Sequence, residues 1–152
     1  MSKGFDFRHA PGHLIRRAHQ VAVAIFMEET SGFEVTPVQF AILNALLDDP
    51  GEDQVTLARK VAFDAATFGS VIGRLEARGW VRREADAADR RRKRLWVTSE
   101  GAEAARKMKR SVGKVQARIL QPLSDEERAQ LVDLLDRLVA GHEHVDVAAD
   151  EA

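Results

Sequence analysis

The chain has 152 residues, of which 45% are hydrophobic and 31% are charged, and it contains no cysteine. This composition indicates one globular domain rather than a disordered or fibrous chain, and the lack of thiols excludes disulfides and zinc–thiolate sites. No apolar run approaches the ~18–20 residues that cross a bilayer, and no signal-peptide core follows Met1. We therefore expect a cytoplasmic protein with no membrane contact.

The net charge of −1 conceals two segments of opposite sign. From Arg74 to Arg94 there are nine Lys and Arg and four Asp and Glu, a local charge of +5. From Ser124 to Ala152 there are two Arg and nine acids, a local charge of −7. Because phosphate groups respond to the local field, the basic segment is compatible with DNA. Charge alone leaves open two solvated faces of opposite sign.

Two helices are predicted in the first third of the chain. Apolar residues recur at helical spacing from about residue 11 to residue 30. A second helix is predicted to begin at Thr36-Pro37, where Thr is a suitable cap, Pro suits the first position and Gln39 completes a capping box. Pro50-Gly51 ends it.

The middle third predicts two short helices followed by a β-ribbon. The helices cover roughly Gln54–Ala62 and Ala65–Arg78, with Asp64 placed to cap the second. The β-prone segments Trp80-Val81 and Leu95–Thr98 flank a charged stretch, which predicts two short strands joined by a solvated loop.

The last third predicts two amphipathic helices. A long helix from Ser99 carries a narrow apolar stripe, which comprises Ala104, Met108, Val112, Val115 and Ile119. A capping box at Ser124 begins the final helix. Because long terminal helices cannot bury their apolar stripes on so small a middle domain, we expect a two-fold homodimer.

The exposed face of the second short helix predicts a contact with DNA. It carries small residues together with three polar ones, Thr67, Ser70 and Arg74. Small side chains let a helix enter the major groove, which is about 12 Å wide. The hydroxyls suit phosphates or base edges, and Arg74 is long enough for a bidentate contact to guanine. The alternative is an ordinary helix with a bland solvent face.

The loop of the ribbon is strongly basic. Its last six residues are Asp89, Arg90, Arg91, Arg92, Lys93 and Arg94. A basic hairpin beside a recognition helix suits the DNA backbone and the minor groove, and Asp89 is placed to pair with Arg91 and orient it. The alternative is a solvated surface loop, which basic runs commonly are.

Three segments resemble the MarR (multiple antibiotic resistance regulator) family. Asp89-x-Arg91, six residues and then Thr98-x-x-Gly101 resemble that family's wing signature, and Thr56-Leu57-Ala58 and Val71–Gly79 resemble its helix-turn-helix. The resemblance covers about residues 36–101. It implies a homodimer on a pseudo-palindromic site, which in this family is usually a repressor released by a small molecule.

The expected architecture is therefore a mainly α (α+β) winged helix-turn-helix. It comprises about six helices and a two- to three-stranded β-wing, dimerised through the N- and C-terminal helices. We expect a dimerisation helix in residues 1–35 and a DNA-binding domain in 36–98. Residues 99–145 are expected to form the C-terminal dimerisation helices, and 146–152 a disordered tail.

The first helix carries candidate ligand-binding residues. His9 and His13 are four residues apart, but without thiolates or a clear carboxylate partner a metal site is not expected. The family resemblance implies an effector pocket between the dimerisation helices and the winged lobe, often for an aromatic carboxylate or a phenolic compound. His9, His13, Arg16 and Arg17 are our candidates for it; the alternative for the arginines is a surface position.

A DNA-binding regulator is the function that these observations favour. No catalytic triad, phosphate-binding glycine loop or helical metal-hydrolase motif is present, so neither an enzyme nor a cofactor is expected. Two alternatives stay open: a protein-interaction module that uses the acidic and basic segments, and a protein that coats DNA without reading its sequence.

Overall fold

A computed structural model describes residues 4–145. These residues form a short 3₁₀ turn (Phe7–His9), six α-helices and a small antiparallel sheet. The helices are α1 (Pro11–Glu29), α2 (Pro37–Asp48), α3 (Gln54–Lys60), α4 (Ala65–Ala77), α5 (Ser99–Leu120) and α6 (Asp125–Ala140). The strands are β1 (Glu52–Asp53), β2 (Val81–Ala85) and β3 (Lys93–Val97), in the order β1-β3-β2. The expected fold class is confirmed, whereas the tail expected in 146–152 lies outside the described residues.

Side-chain caps set where the helices begin. The Oγ1 atom of Thr36 accepts a hydrogen bond from the backbone N–H of Gln39 at 3.3 Å, and Oε1 of Gln39 accepts one from the N–H of Thr36 at 3.1 Å. Ser124 and Glu127 form the same reciprocal pair at the start of α6. Each pair satisfies two amide groups that have no partner within the helix, as their spacing in the sequence predicts.

The first short helix ends two residues earlier than its predicted limit at Ala62. Ala62 has a φ of +54°, in the left-handed region where a helix cannot continue. The N–H of Phe63 then bonds back to the carbonyl of Ala58 at 2.9 Å. This turn directs the chain into α4, whose first amide groups are capped by Asp64.

The core lies between the middle helices, the sheet and the first half of α5. Its most completely buried apolar side chains are Ile42, Leu43, Leu46, Leu57, Phe68, Ile72, Leu75, Leu95 and Met108. The predicted stripe of α5 is corrected at one position, because Ala105 is buried and Ala104 is only half-buried. Gly101, Ala105 and Met108 follow one another at i, i+4 and i+7, which is the face that α5 presents to the core.

The terminal helices contribute little to this core. Phe26 is the one buried residue of α1, and α6 has none. Apolar side chains of α6 remain about half exposed, and these are Val132, Leu134, Leu135, Leu138 and Val139. Two apolar stripes are thus left uncovered by the rest of the described chain. No helix within residues 4–145 is long and apolar enough to span a membrane.

Candidate nucleic-acid interface

Helix α4 has a buried face and an exposed face. Phe68, Val71, Ile72 and Leu75 are buried in the core. Thr67, Ser70 and Arg74 are exposed, together with the small residues Ala66 and Ala77. Among the described residues, no acidic group lies within ion-pair distance of Arg74. The helix therefore presents a low, polar surface with one long cation, a shape that suits the major groove.

The two hydroxyl groups on this face are engaged within the helix. Thr67 donates from Oγ1 to the Asp64 carboxylate at 3.2 Å, and Ser70 donates from Oγ to the backbone carbonyl of Thr67 at 2.8 Å. Each oxygen keeps lone pairs that can accept. A hydroxyl of Thr67 or Ser70 that donated to a phosphate would therefore have to rotate away from its present partner.

The wing is a hairpin of β2 and β3 that is anchored at its base by Asp86. In the hairpin register Ala85 lies opposite Lys93, and this places Asp86 beside Arg94. The Asp86 carboxylate accepts from the backbone N–H of Ala88 at 2.8 Å and from Nε of Arg94 at 2.7 Å. These two bonds, that from Ala88 first, lower the pKa of the nine-tenths-buried Asp86 carboxyl. Asp86 was not among the residues singled out from the sequence, although the hairpin register carries the signal.

Arg94 belongs to the base of the wing and not to its tip. Besides its bond to Asp86, its Nη1 donates to the carbonyl oxygen of Gly51 at 3.1 Å. Arg92 is held more loosely, with Nε 3.6 Å from the carboxylate of Asp53 at the start of α3. Lys93 is an exposed residue of β3. The predicted basic run is therefore divided between structural and available cations.

The predicted pairing of Asp89 with the side chain of Arg91 is wrong. The Asp89 carboxylate accepts from the backbone N–H of Arg91 at 3.0 Å, and the Asp89 carbonyl accepts from the N–H of Arg92 at 3.0 Å. An aspartate in a tight turn reaches the amide two residues on more readily than a distant guanidinium. Arg90 and Arg91 are exposed, and within residues 4–145 neither forms an ion pair.

Thr98 and Gly101 join the wing to α5. Thr98 donates from Oγ1 to the carbonyl of Gly79 at 2.6 Å and accepts from the N–H of Gly101 at 3.0 Å. A Cβ at Gly101 would collide with the carbonyl of Trp80. The Thr-x-x-Gly pair thus lets the first turn of α5 approach the strand that carries the wing.

The candidate effector residues lie at the beginning of α1 and just before it. His9 pairs with Asp6 at 2.6 Å between Nδ1 and Oδ2, and the ring of His13 meets Phe7 edge-on at 5.3 Å between centroids. Arg17 donates to Gln20 at 3.3 Å, and Arg16 is exposed.

Neither of two surface clefts includes any of these four candidates. One, of about 320 Å³, lies between α3 and the wing and is lined by Asp53, Gln54, Val55, Arg91, Arg92 and Lys93. The other, of about 560 Å³, lies between the α1–α2 loop and α5 and includes Phe33, Arg78 and Trp80. Within residues 4–145, no group of three or more His, Asp or Glu side chains is arranged to hold a metal ion.

Comparison with known proteins places this geometry among transcription regulators. A family model described as MarR family matches residues 33–92. The transcriptional regulator HosA of Escherichia coli O157:H7 is 33% identical over 132 residues, which is 87% of this chain and 96% of HosA.

Two solved structures match over nearly the whole chain. Bordetella bronchiseptica BpsR, whose DNA binding is regulated by 6-hydroxynicotinic acid, has a TM-score of 0.83 at 33% identity and covers 88% of this chain and 96% of its own. Streptomyces coelicolor PcaV in complex with its natural ligand has a TM-score of 0.80 at 33% identity, with coverages of 90% and 96%.

Proposed function

The chain belongs to the MarR family of transcriptional regulators, and from this premise we propose that it is a homodimeric, ligand-responsive repressor of a pseudo-palindromic DNA operator. The observation that carries the proposal is the position of Thr67, Ser70 and Arg74 on the exposed face of α4, while the opposite face is fixed in the core. Helix α4 is the recognition helix in this account. Arg74 reads a base edge, and the hydroxyls contact the backbone or base edges.

The wing supplies the second DNA contact. Arg90 and Arg91 at its tip are exposed, and the turn that carries them is shaped by Asp89. Arginines at the end of a hairpin can follow the backbone and enter a narrow minor groove, where the negative potential is strongest. Arg92 and Lys93 add positive charge beside α3, and Arg94 holds the base of the hairpin.

The uncovered apolar stripes of α1 and α6 support the homodimer. Leu134 and Val139 of α6 are 56% and 63% exposed, values that a long helix seldom keeps in water without a partner. A two-fold dimer covers the same surface on both copies. It also places two recognition helices on successive major grooves, with half-site centres about 10 bp apart.

Selection from a random duplex library tests this function. The full chain is incubated with the library, and the bound duplexes are amplified and sequenced. We expect enrichment of a two-fold symmetric motif with half-sites about 10 bp apart, and Arg74→Ala should lose preference at one position in each half-site. A protein that coats DNA would enrich no motif, and a protein-interaction module would retain no duplex.

An effector that releases the DNA completes the proposal. The cations and histidines near the start of α1, namely His9, His13, Arg16 and Arg17, have the chemistry to hold a carboxylate or a phenolic oxygen. The response of BpsR to 6-hydroxynicotinic acid makes that compound the first probe. We expect it, or a related aromatic acid, to lower DNA affinity, and we expect Arg16→Ala or Arg17→Ala to weaken this release. Release that is unchanged in both variants would remove the arginines from the effector site.

A further inference from the structure

The C-terminal end of the recognition helix is attached to a distant loop by one side chain. Arg78, the C-cap of α4, donates from Nη1 to the carbonyl of Glu34 at 2.7 Å and from Nη2 to the carbonyl of Phe33 at 2.8 Å. Its guanidinium carbon lies 3.6 Å from the centroid of the Trp80 ring. One planar group thus makes two hydrogen bonds and one stacking contact, a combination that arginine can form and lysine cannot.

The loop that receives Arg78 has an uncommon backbone conformation. Glu34 has a φ of +52°, which for a residue other than glycine costs roughly 1–2 kcal/mol. In this conformation the carbonyls of Phe33 and Glu34 both face the guanidinium. The neighbouring Val35 is 1% exposed, so this turn is held against the core while its carbonyls meet Arg78. The contact is therefore a defined feature of the fold.

The same loop continues the helix that carries one of the uncovered apolar stripes. Glu28 and Glu29, at the end of α1, pair with Arg118 of α5 at 2.9 and 2.8 Å. The loop is thus held to α5 through Arg118 and to α4 through Arg78. Arg74 lies one helical turn before Arg78 on α4, at the i, i+4 spacing that makes two residues neighbours. A change in the loop is therefore transmitted to the residue that we expect to read a base.

We propose that Arg78 is a positioning residue for DNA reading, which holds the end of α4 on the loop that follows α1 and so fixes the angle at which Arg74 meets the DNA. This role rests on the proposed function. It differs from a phosphate contact, because the guanidinium is engaged by protein carbonyls and by Trp80. Removing it should lower the discrimination between sequences and leave the number of phosphate contacts unchanged.

The test compares Arg78→Ala and Arg78→Lys with the wild-type full chain. Affinities for a selected duplex and for its scrambled version are measured at several salt concentrations. We expect both variants to lower the ratio of the two affinities by about tenfold, the size of one lost base contact, with the salt dependence unchanged. Discrimination restored by Arg78→Lys would overturn the proposal. So would equal losses on both duplexes with a salt slope reduced by about 0.9, since that pattern indicates a phosphate contact.

Hydrogen exchange of the free protein provides a readout that needs no DNA. Because Arg78 holds the two segments together, both variants should exchange amides in residues 31–36 and 74–80 several times faster than the wild type. The region 125–140 should be unaffected. Unchanged exchange in residues 31–36 and 74–80 would overturn the clamp even if DNA binding fell. A wild-type protein that bound all duplexes equally would instead overturn the proposed function, and the positioning role with it.

Discussion

The five cations from Arg90 to Arg94 differ in what their charged groups contact. Arg94 is bonded to Asp86 and to the carbonyl of Gly51, and Arg92 lies near Asp53. Arg90 and Arg91 at the tip are exposed. A run of identical charges in the sequence therefore contains residues that shape the wing and residues that are available to DNA.

Replacing Arg91 with alanine should weaken DNA binding without affecting the fold. The side chain is exposed at the tip, so the melting temperature should be unchanged, while one lost phosphate contact lowers the salt slope by about 0.9. Anisotropy titrations at several salt concentrations measure both affinity and slope. Arg106→Ala, which removes one charge whose partner Glu103 lies on the same helix, is the matched control and should bind as the wild type does. A changed oligomeric state in Arg91→Ala would instead indicate a structural role.

The anchor of the wing should respond to acid. The pKa of Asp86 in the folded protein is lowered by the N–H of Ala88 and then by Arg94. Its stabilisation is therefore fully present above the unfolded pKa, which is near 3.9, and is lost as the pH falls through the folded value. Asp86→Asn should lower the melting temperature at pH 7, and the difference from the wild type should shrink below about pH 4. A difference that stays constant with pH would contradict this account of the anchor.

At the scale of the elements, one junction joins the end of α4, the wing and the start of α5. Gly79, with a φ of +75°, ends α4, and the N–H of Trp80 bonds back to the carbonyl of Leu75 at 3.0 Å. Thr98 bonds to the carbonyls of Gly79 and Trp80. The wing is therefore held in register with the recognition helix by the same residues that start α5.

Gly101→Ala should be destabilising, because its Cβ would strike the backbone carbonyl of Trp80. Overpacking of this kind costs about 1–3 kcal/mol. Gly113→Ala on the same helix meets no atom within 4 Å of its Cβ and should be neutral or stabilising by up to about 1 kcal/mol. Urea unfolding of both variants measures the difference. If the two substitutions had equal effects on stability, the close approach of α5 to the strand would be wrong.

Local signals predicted the elements well, and long-range contacts were not accessible to them. The caps at Thr36, Asp64 and Ser124 depend on residues within three positions, so the helix starts followed from the sequence. The end of α3 did not, because the left-handed φ of Ala62 has no glycine or asparagine to announce it. The link between Arg78 and the carbonyls of Phe33 and Glu34 spans more than 40 residues. No periodicity or motif carries such a contact.

At the scale of the whole molecule, the distribution of apolar surface argues for a second chain. The winged core is closed by α2, α3, α4 and α5, whereas α6 contributes no buried residue. A monomer would leave Leu134, Leu135 and Leu138 about half exposed. Covering them on two copies at once accounts for the length of the terminal helices, and the symmetry places two recognition helices for a palindrome.

Leu138→Asp should dissociate the dimer. The carboxylate would be buried without a partner in an apolar interface, which costs several kcal/mol per copy. Sedimentation velocity at micromolar concentration should show a species of half the wild-type mass, with operator affinity strongly reduced. Gln130→Asp adds the same charge to the polar face of α6 and should remain dimeric. A Leu138→Asp protein that stayed dimeric would place the interface elsewhere.

The central claim is that this chain selects a DNA sequence through α4 and the wing, and competition anisotropy tests it most directly. A labelled duplex obtained by selection is bound by the full chain and then challenged with unlabelled scrambled duplex at two salt concentrations. The account predicts salt-dependent binding that an equal amount of scrambled DNA does not displace, because phosphate contacts supply affinity and base contacts supply preference. Equal displacement by any duplex would contradict it.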